Sequence, residues 1–283
     1  MVDLLIMIIA FTALIVASIH DLRTREVPDW LSYSLIAAAF GIRAIYSIIK
    51  SDEMFFLYGV IGFAAMLVFG YMMYYAKQWG GGDSKLMIGL GTLFATYQEY
   101  EPMKFLIMFM IYLVIVGALY GFLWMLILSA KNWQKVKIGF LGISSLPKYR
   151  YLRMISHAIT VSFIIVIFLV NNPVLKIASV TFASLAFVYP YLHMAIKVVE
   201  SAALLKNTAV EKLTEGDWIA NNVIVNGKII CGPKDPGIEK KQILLLKKYK
   251  INSVLVKEGI PFVPSFLLAL IAALLIGNIF PII

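Results

Sequence analysis

Two aspartates stand at the edges of apolar runs, where a carboxylate is costly and marks a functional position by default. Asp83 follows Gly80, Gly81 and Gly82 in "QWGGGDSKLMIGLG", after which the chain turns apolar again. Asp21 closes the first apolar run, in "HDLRTREVPDW". Two carboxylates a few ångströms apart in a partly desolvated site cannot both ionise easily, and such a pair shares a proton. The ionised member can take a proton from water while the protonated member donates to the carbonyl under attack. That chemistry needs no cofactor, no metal and no nucleophilic side chain. It suits a chain with one cysteine, Cys231, and three scattered histidines. Gly80 and Gly82, without a Cβ, let an extended chain lie against Asp83. The competing reading is that the glycines merely break a helix.

The elements that must hold these residues are membrane helices. Of the 283 residues, 61% are hydrophobic and 14% are charged, against about 25% charged in soluble domains. Mean hydropathy is +0.87. Runs of about 20 apolar residues suit membrane spans, and helices satisfy their own backbone in lipid. About eight segments are predicted, near 2–19, 31–49, 55–76, 83–98, 103–129, 153–171, 174–198 and 262–281, with ends good to about 2–4 residues. The expected fold class is an all-α polytopic membrane protein with a small α+β domain before the last helix. Residues 1–205 form the transmembrane domain, with a core at 1–130 and an extra pair of helices at about 153–198. Residues 206–258 form the small domain, and 259–283 the final helix. In the small domain, an Asn226-Gly227 turn signals a hairpin, "IEKKQILLLKKYK" has helical spacing, and "INSVLVK" reads as a strand.

Loop charge sets the orientation. Arg23, Arg25, Lys77, the stretch from Lys131 to Arg153 and the lysine-rich 206–258 alternate with connectors holding Asp52, Glu53, Glu99 and Glu101. Basic residues gather on the cytoplasmic side, so both termini are expected outside and the small domain inside. The net charge of +9 then belongs to membrane loops, with no nucleic acid as partner. The first run carries Asp3 and lacks a basic start, so it reads as a retained helix and not a cleaved signal. Two crossings separate Asp21 from Asp83, which returns both to the cytoplasmic boundary.

Other residues carry two readings each. Lys85 could hold a substrate carbonyl or tune the dyad, or snorkel to the interface. Glu26 and Asp29 could meet a basic ligand, and Asp29, after Pro28, also fits a helix N-cap, the favoured reading. His20 points about 100° away from Asp21 on a helix. His157 and His193 fall within spans but near their ends, where they face water or bond a carbonyl. Gly117 and Gly121 form a GxxxG step suited to close packing. Trp30 and Trp79 suit interface anchoring. Pro261 and Pro264 bracket the entry to the last helix, either to seat a ligand or as a plain helix start.

"GGGDSK" contains a GxGD signature at Gly80 to Asp83, and "HDLRTREVPDW" resembles the first-aspartate motif of type IV prepilin peptidases. "KEGIPFVPSFLLALIAALLIG" resembles the end of the same enzymes. Together they look like an archaeal prepilin or preflagellin peptidase with a six-helix core. The resemblance implies a membrane aspartic endopeptidase that cuts a short basic leader from pilin-like or archaellin-like precursors at the cytoplasmic face. It carries the two catalytic roles onto Asp21 and Asp83, and a substrate-seating proline motif onto Pro261 and Pro264; Gly80, Gly82, Lys85 and Glu26 are candidate substrate contacts on their own chemistry. Bacterial relatives often add a cysteine-rich zinc insert and methylate the new N-terminus. This chain lacks those cysteines, so peptidase activity alone is expected. The alternatives are an intramembrane protease of the presenilin or signal-peptide-peptidase kind, a proton-coupled transporter, and a non-catalytic assembly factor docking through 206–258.

Overall fold

The computed structural model describes residues 2–97, 101–225 and 227–277. Two compact units emerge. One comprises residues 1–123 and 208–283, the other residues 124–207.

The first unit opens with α1 (Val2–Thr24), α2 (Asp29–Lys50), α3 (Glu53–Tyr75) and α4 (Gly81–Phe94), followed by most of α5 (Lys104–Lys131). The α1 helix continues through Asp21 to Thr24, so the first charged loop is shorter than the sequence suggests. Among the described residues, six helices are long and apolar enough to cross a membrane: α1, α2, α3, α5, α7 (Pro147–Leu169) and α8 with its extension (Pro173–Leu204). At 14 residues, α4 and α10 (Val263–Ile276) reach only ~21 Å each, at 1.5 Å per residue. The predicted end of the last helix, 278–281, lies outside the described residues.

Glycines let α4 sink against its neighbours. A Cβ at Gly91 would sit 2.2 Å from Met66 Cγ, one at Gly62 2.3 Å from the Gly91 carbonyl oxygen, and one at Gly89 2.8 Å from Leu35. The far end of α4 is held by Arg43, a fully buried side chain of α2. Its guanidinium donates to the carbonyls of Thr92 (2.6 Å), Leu93 (3.0 Å) and Phe55 (2.7 Å) and to the Thr96 hydroxyl (3.0 Å). The last carbonyls of a helix have no partner of their own, and inside a membrane water cannot supply one. Arg43 therefore lets a short helix end below the surface.

The small domain belongs to the same unit. Strand β2 (Trp218–Ile219) pairs antiparallel with β5 (Ser253–Lys257), Trp218 opposite Lys257. Strands β3 (Val223–Val225) and β4 (Lys228–Cys231) form an antiparallel hairpin. Its turn contains Gly227 at φ +78°, while Asn226 lies outside the described residues. Helix α9 (Lys240–Lys248) falls within the periodic stretch. Val210, Ile219, Cys231, Ile238, Leu246, Val254 and Val256 share one buried core, which places the lone thiol among apolar neighbours.

In the second unit, α7 and α8 (Pro173–Val199) pack together, and α8 ends in a π-helical turn at Glu200–Leu204. The basic connector before them is itself helical: α6 spans Trp133–Ser145. Strand β1 (Leu205–Ala209) runs across the boundary of the units. His157 hydrogen-bonds the Tyr191 hydroxyl at 3.2 Å, and His193 stacks on Tyr189.

Candidate active site

Each aspartate sits at the N-terminus of a short helix. Asp83 is the third residue of α4, and its Oδ2 accepts the Gly80 N–H at 3.0 Å. A carboxylate reaching back from this position satisfies one of the orphan donors of a helix start. Asp21 lies on the buried face of α1, 4% exposed, and its Oδ2 accepts the Val263 N–H at 2.8 Å. Val263 is the first residue of α10. The Phe262 N–H points at the same carboxylate. Both carboxylates thus face the positive end of a helix dipole.

The two helix starts are brought together. Helices α1 and α4 are in contact, as are α1 and α10, and the charge on Asp21 is close enough to act on Asp83. Tyr120 of α5 is likewise within electrostatic reach of Asp21. Ser18, one turn before Asp21, is buried with a hydroxyl that has no partner among the described residues.

The glycines differ from one another in what surrounds them. A Cβ at Gly82 would lie 2.9 Å from Val27 Cβ and 3.2 Å from both the nitrogen and the oxygen of Val27. Gly82 is therefore where the first turn of α4 touches the loop after α1. A Cβ at Gly80 would lie 3.3 Å from Asp83 Oδ2, whereas one at Gly81 would meet only Tyr74, at an ordinary 3.7 Å.

The prolines frame the donors of α10. Pro261 is buried and Pro264 follows Val263. Neither has an N–H, so the amides between them, of Phe262 and Val263, are the ones turned toward Asp21. The GxxxG step of α5 receives this connector and the start of α10: a Cβ at Gly117 would lie 2.8 Å from the Phe262 ring and 3.8 Å from Ser265 Oγ, and one at Gly121 3.9 Å from Ile260.

Several expectations are corrected. Trp79 is not an interface anchor; it is 6% exposed and packs on Phe69 and Phe266 at 5.5 and 5.4 Å between ring centroids. Trp30 is 61% exposed. Asp29 does not cap α2, whose N-cap is Pro28. Its carboxylate instead accepts from Lys85 Nζ at 2.6 Å, and Lys85 also lies over the Tyr33 ring. Lys85 is thus engaged in a partly exposed ion pair two residues past Asp83.

The small domain fastens onto the loops that carry the site. Glu26 accepts from the Thr214 hydroxyl at 2.8 Å. Arg25 pairs with Glu258 at 3.3 Å and donates to the Gly259 carbonyl. Lys77 donates to the Pro233 carbonyl. Arg25 has φ +59°, an unusual conformation for a non-glycine residue, and its N–H donates to the Asp21 carbonyl at 2.9 Å. Backbone and side chain of Arg25 so connect the end of α1 to the strand that leads into α10. Asp217 is part-buried nearby; burial, with some help from Glu26 and Glu258, pushes its carboxyl above the usual range, although the Thr214 N–H opposes this. Among the described residues, no group of three or more His, Cys, Asp or Glu side chains is arranged to hold a metal ion.

The class defined by this geometry is a multi-helix protein with an aspartate pair between short helices and a small domain fastened over its loops. Residues 8–131 match the model of the type IV leader peptidase family. The match includes Asp21 and Asp83, and excludes the proline-framed start of α10. The chain is 41% identical over 93 residues to a preflagellin peptidase of Methanococcus maripaludis, covering 32% of this chain and 39% of the relative. It is 32% identical over 90 residues to the preflagellin peptidase of Methanocaldococcus jannaschii, covering 32% and 38%. It is 28% identical over 92 residues to the prepilin peptidase EppA of Methanothermobacter thermautotrophicus, covering 32% and 24%. The chain therefore spans less than half the length of the curated relatives it matches. No solved structure matches it.

Proposed function

We propose that this protein is a membrane-embedded aspartic endopeptidase that removes the short basic leader from pilin-like or archaellin-like precursors. The observation that carries the reading is the aspartate pair at the starts of α4 and α10, within a stretch matching leader peptidases. Asp21 and Asp83 hold one proton between them and a water in common. Asp21 receives two backbone N–H groups, which favour its carboxylate, so it is assigned as the base. Asp83 holds the proton. Water attacks the scissile carbonyl as Asp21 takes its proton and Asp83 protonates the carbonyl oxygen. The tetrahedral intermediate then collapses, the C–N bond breaks, and the leaving amine takes the proton from Asp21. The proton on the intermediate's oxygen returns to Asp83.

The site lies at the cytoplasmic edge of the bilayer, with the small domain on that side and both termini outside. There a scissile bond beside a hydrophobic helix can be extended and hydrated. Gly80 lines the approach to Asp83, and Gly82 lets the first turn of α4 close on Val27 to set that approach. Glu26 and Asp29 face the basic leader, since each carboxylate retains acceptor capacity beyond the one bond it makes. Lys85, two residues past Asp83, holds Asp29 in place for the leader, and Pro261 and Pro264 frame the amides that hold Asp21. No cofactor and no nucleic acid enter the reaction.

The test is incubation of the purified protein with a small panel of pilin-like precursors, followed by mass measurement of the new N-termini. A single cut between leader and hydrophobic helix is expected. Cleavage only within the hydrophobic helix would favour an intramembrane protease instead.

A further inference from the structure

Residues 131–153 carry Lys131, Lys135, Lys137, Lys148, Arg150 and Arg153 and no acid, and the proteolytic site uses none of them. Most of the first half is α6, which starts two residues after α5 ends at Lys131 and stops two residues before α7 begins at Pro147. Both α5 and α7 are long and apolar enough to cross a bilayer. Connectivity therefore puts α6 at the end of two spans, where hydrocarbon gives way to headgroups. At 13 residues it is too short to cross, which takes about 20.

The side chains of α6 sort by face. At ~100° per residue, Val136, Gly139, Phe140 and Ile143 share one side. Val136 clusters with Val198 and Val199, Phe140 and Ile143 pack against that cluster, and a Cβ at Gly139 would meet Val198 at 2.8 Å. Ile138 and Leu141 fall on the opposite side and are 71% and 61% exposed. Lys135 and Lys137 lie on the two flanks and are exposed. A helix with one face packed and the other in water carries polar residues outward, and this one carries isoleucine and leucine. An apolar stripe flanked by lysines suits a helix lying in the bilayer surface, its lysine stems along the acyl boundary and its ammonium groups at the phosphates. Exposed Lys148 and Arg150, in the first turn of α7, extend the positive surface.

We propose that α6 and the first turn of α7 form a binding surface for anionic lipid headgroups, with Ile138 and Leu141 in the acyl boundary and Lys131, Lys135, Lys137, Lys148 and Arg150 on the phosphates. The proposal stands independently of the proteolytic reading.

The test uses the full chain and defined lipids. Phosphatidylglycerol and phosphatidylcholine retained by the purified protein are counted by native mass spectrometry, for the wild type and for a Lys131→Gln/Lys135→Gln/Lys137→Gln variant. Each basic group near an anionic surface contributes about fivefold in affinity. The variant should then hold phosphatidylglycerol about a hundredfold more weakly, with phosphatidylcholine unchanged. Equal phosphatidylglycerol retention would overturn the proposal. A second measurement leaves the lysines in place: a nitroxide on Ile138→Cys, in a Cys231→Ser background, in phosphatidylglycerol nanodiscs. Relaxation dominated by dissolved oxygen is expected, and relaxation dominated by a water-soluble nickel chelate would overturn the proposal.

Discussion

Adding one methyl group at each of two adjacent glycines should give opposite results. At Gly82 the new Cβ would lie 2.9 Å from Val27 Cβ and 3.2 Å from two of its backbone atoms. Carbon atoms prefer about 3.5–4.0 Å, so the first turn of α4 must move off the loop by several tenths of an ångström. Backbone atoms on the far side cannot rotate away. Overpacking of this kind costs about 1–3 kcal/mol. Asp83 is the next residue, and a misplacement of about 1 Å at reacting groups can cost ~100-fold in rate. Gly82→Ala should therefore lower precursor cleavage by roughly tenfold or more, along with a drop in melting temperature. At Gly81 the same methyl meets only Tyr74 at 3.7 Å, and alanine is the better helix former by about 0.8–1 kcal/mol. Gly81→Ala should leave cleavage near wild type and melting unchanged or higher. The assay is cleavage of a pilin-like precursor in detergent or nanodiscs, with thermal unfolding of the same samples. Equal effects at the two positions would refute the reasoning.

Arg43→Met should orphan the Thr92 and Leu93 carbonyls at about 1–3 kcal/mol each, and Gly59→Ala, whose Cβ would lie 2.3 Å from Arg43 Cδ, should behave like a milder version; thermal unfolding of both variants checks this. Arg25→Ala should lower kcat more than it raises KM, because it loosens the α10 amides on Asp21, and Arg25→Lys should recover part of the loss; steady-state kinetics on a precursor distinguish this from weakened substrate binding. Because the Asp217 carboxyl is raised on folding, the folded state binds more protons than the unfolded one just above the ordinary aspartate range. Stability then falls as pH rises through the folded value, and Asp217→Asn should flatten that part of the melting-temperature profile.

Local periodicity made much of this fold legible. Helix α9 and the β3–β4 hairpin each rest on residues close in sequence, and β5 shows its own apolar alternation although its partner β2 lies far earlier in the chain. The two aspartates stand out because each lies at the edge of an apolar run. What supports them did not stand out. The amide on Asp21 comes from Val263, 242 positions away, and the prolines around it hint at a special backbone without naming its partner. Asp29 follows a proline as a cap would, but Lys85 lies across the loop and takes its carboxylate. Helix α6 was hidden by its own lysines, which read as a loop. Arg43, a lone charge inside the second apolar run, carries no reading from sequence alone, and the open carbonyls of α4 explain it.

The central claim is that Asp21 and Asp83 act as one acid–base pair, and single isosteric replacements test it most directly. In Asp21→Asn and Asp83→Asn the amide oxygen can still accept the Val263 and Gly80 N–H groups, so both proteins should melt close to wild type. Each should lose precursor cleavage, read by the mass of the product. Substantial cleavage by either folded variant would contradict the account.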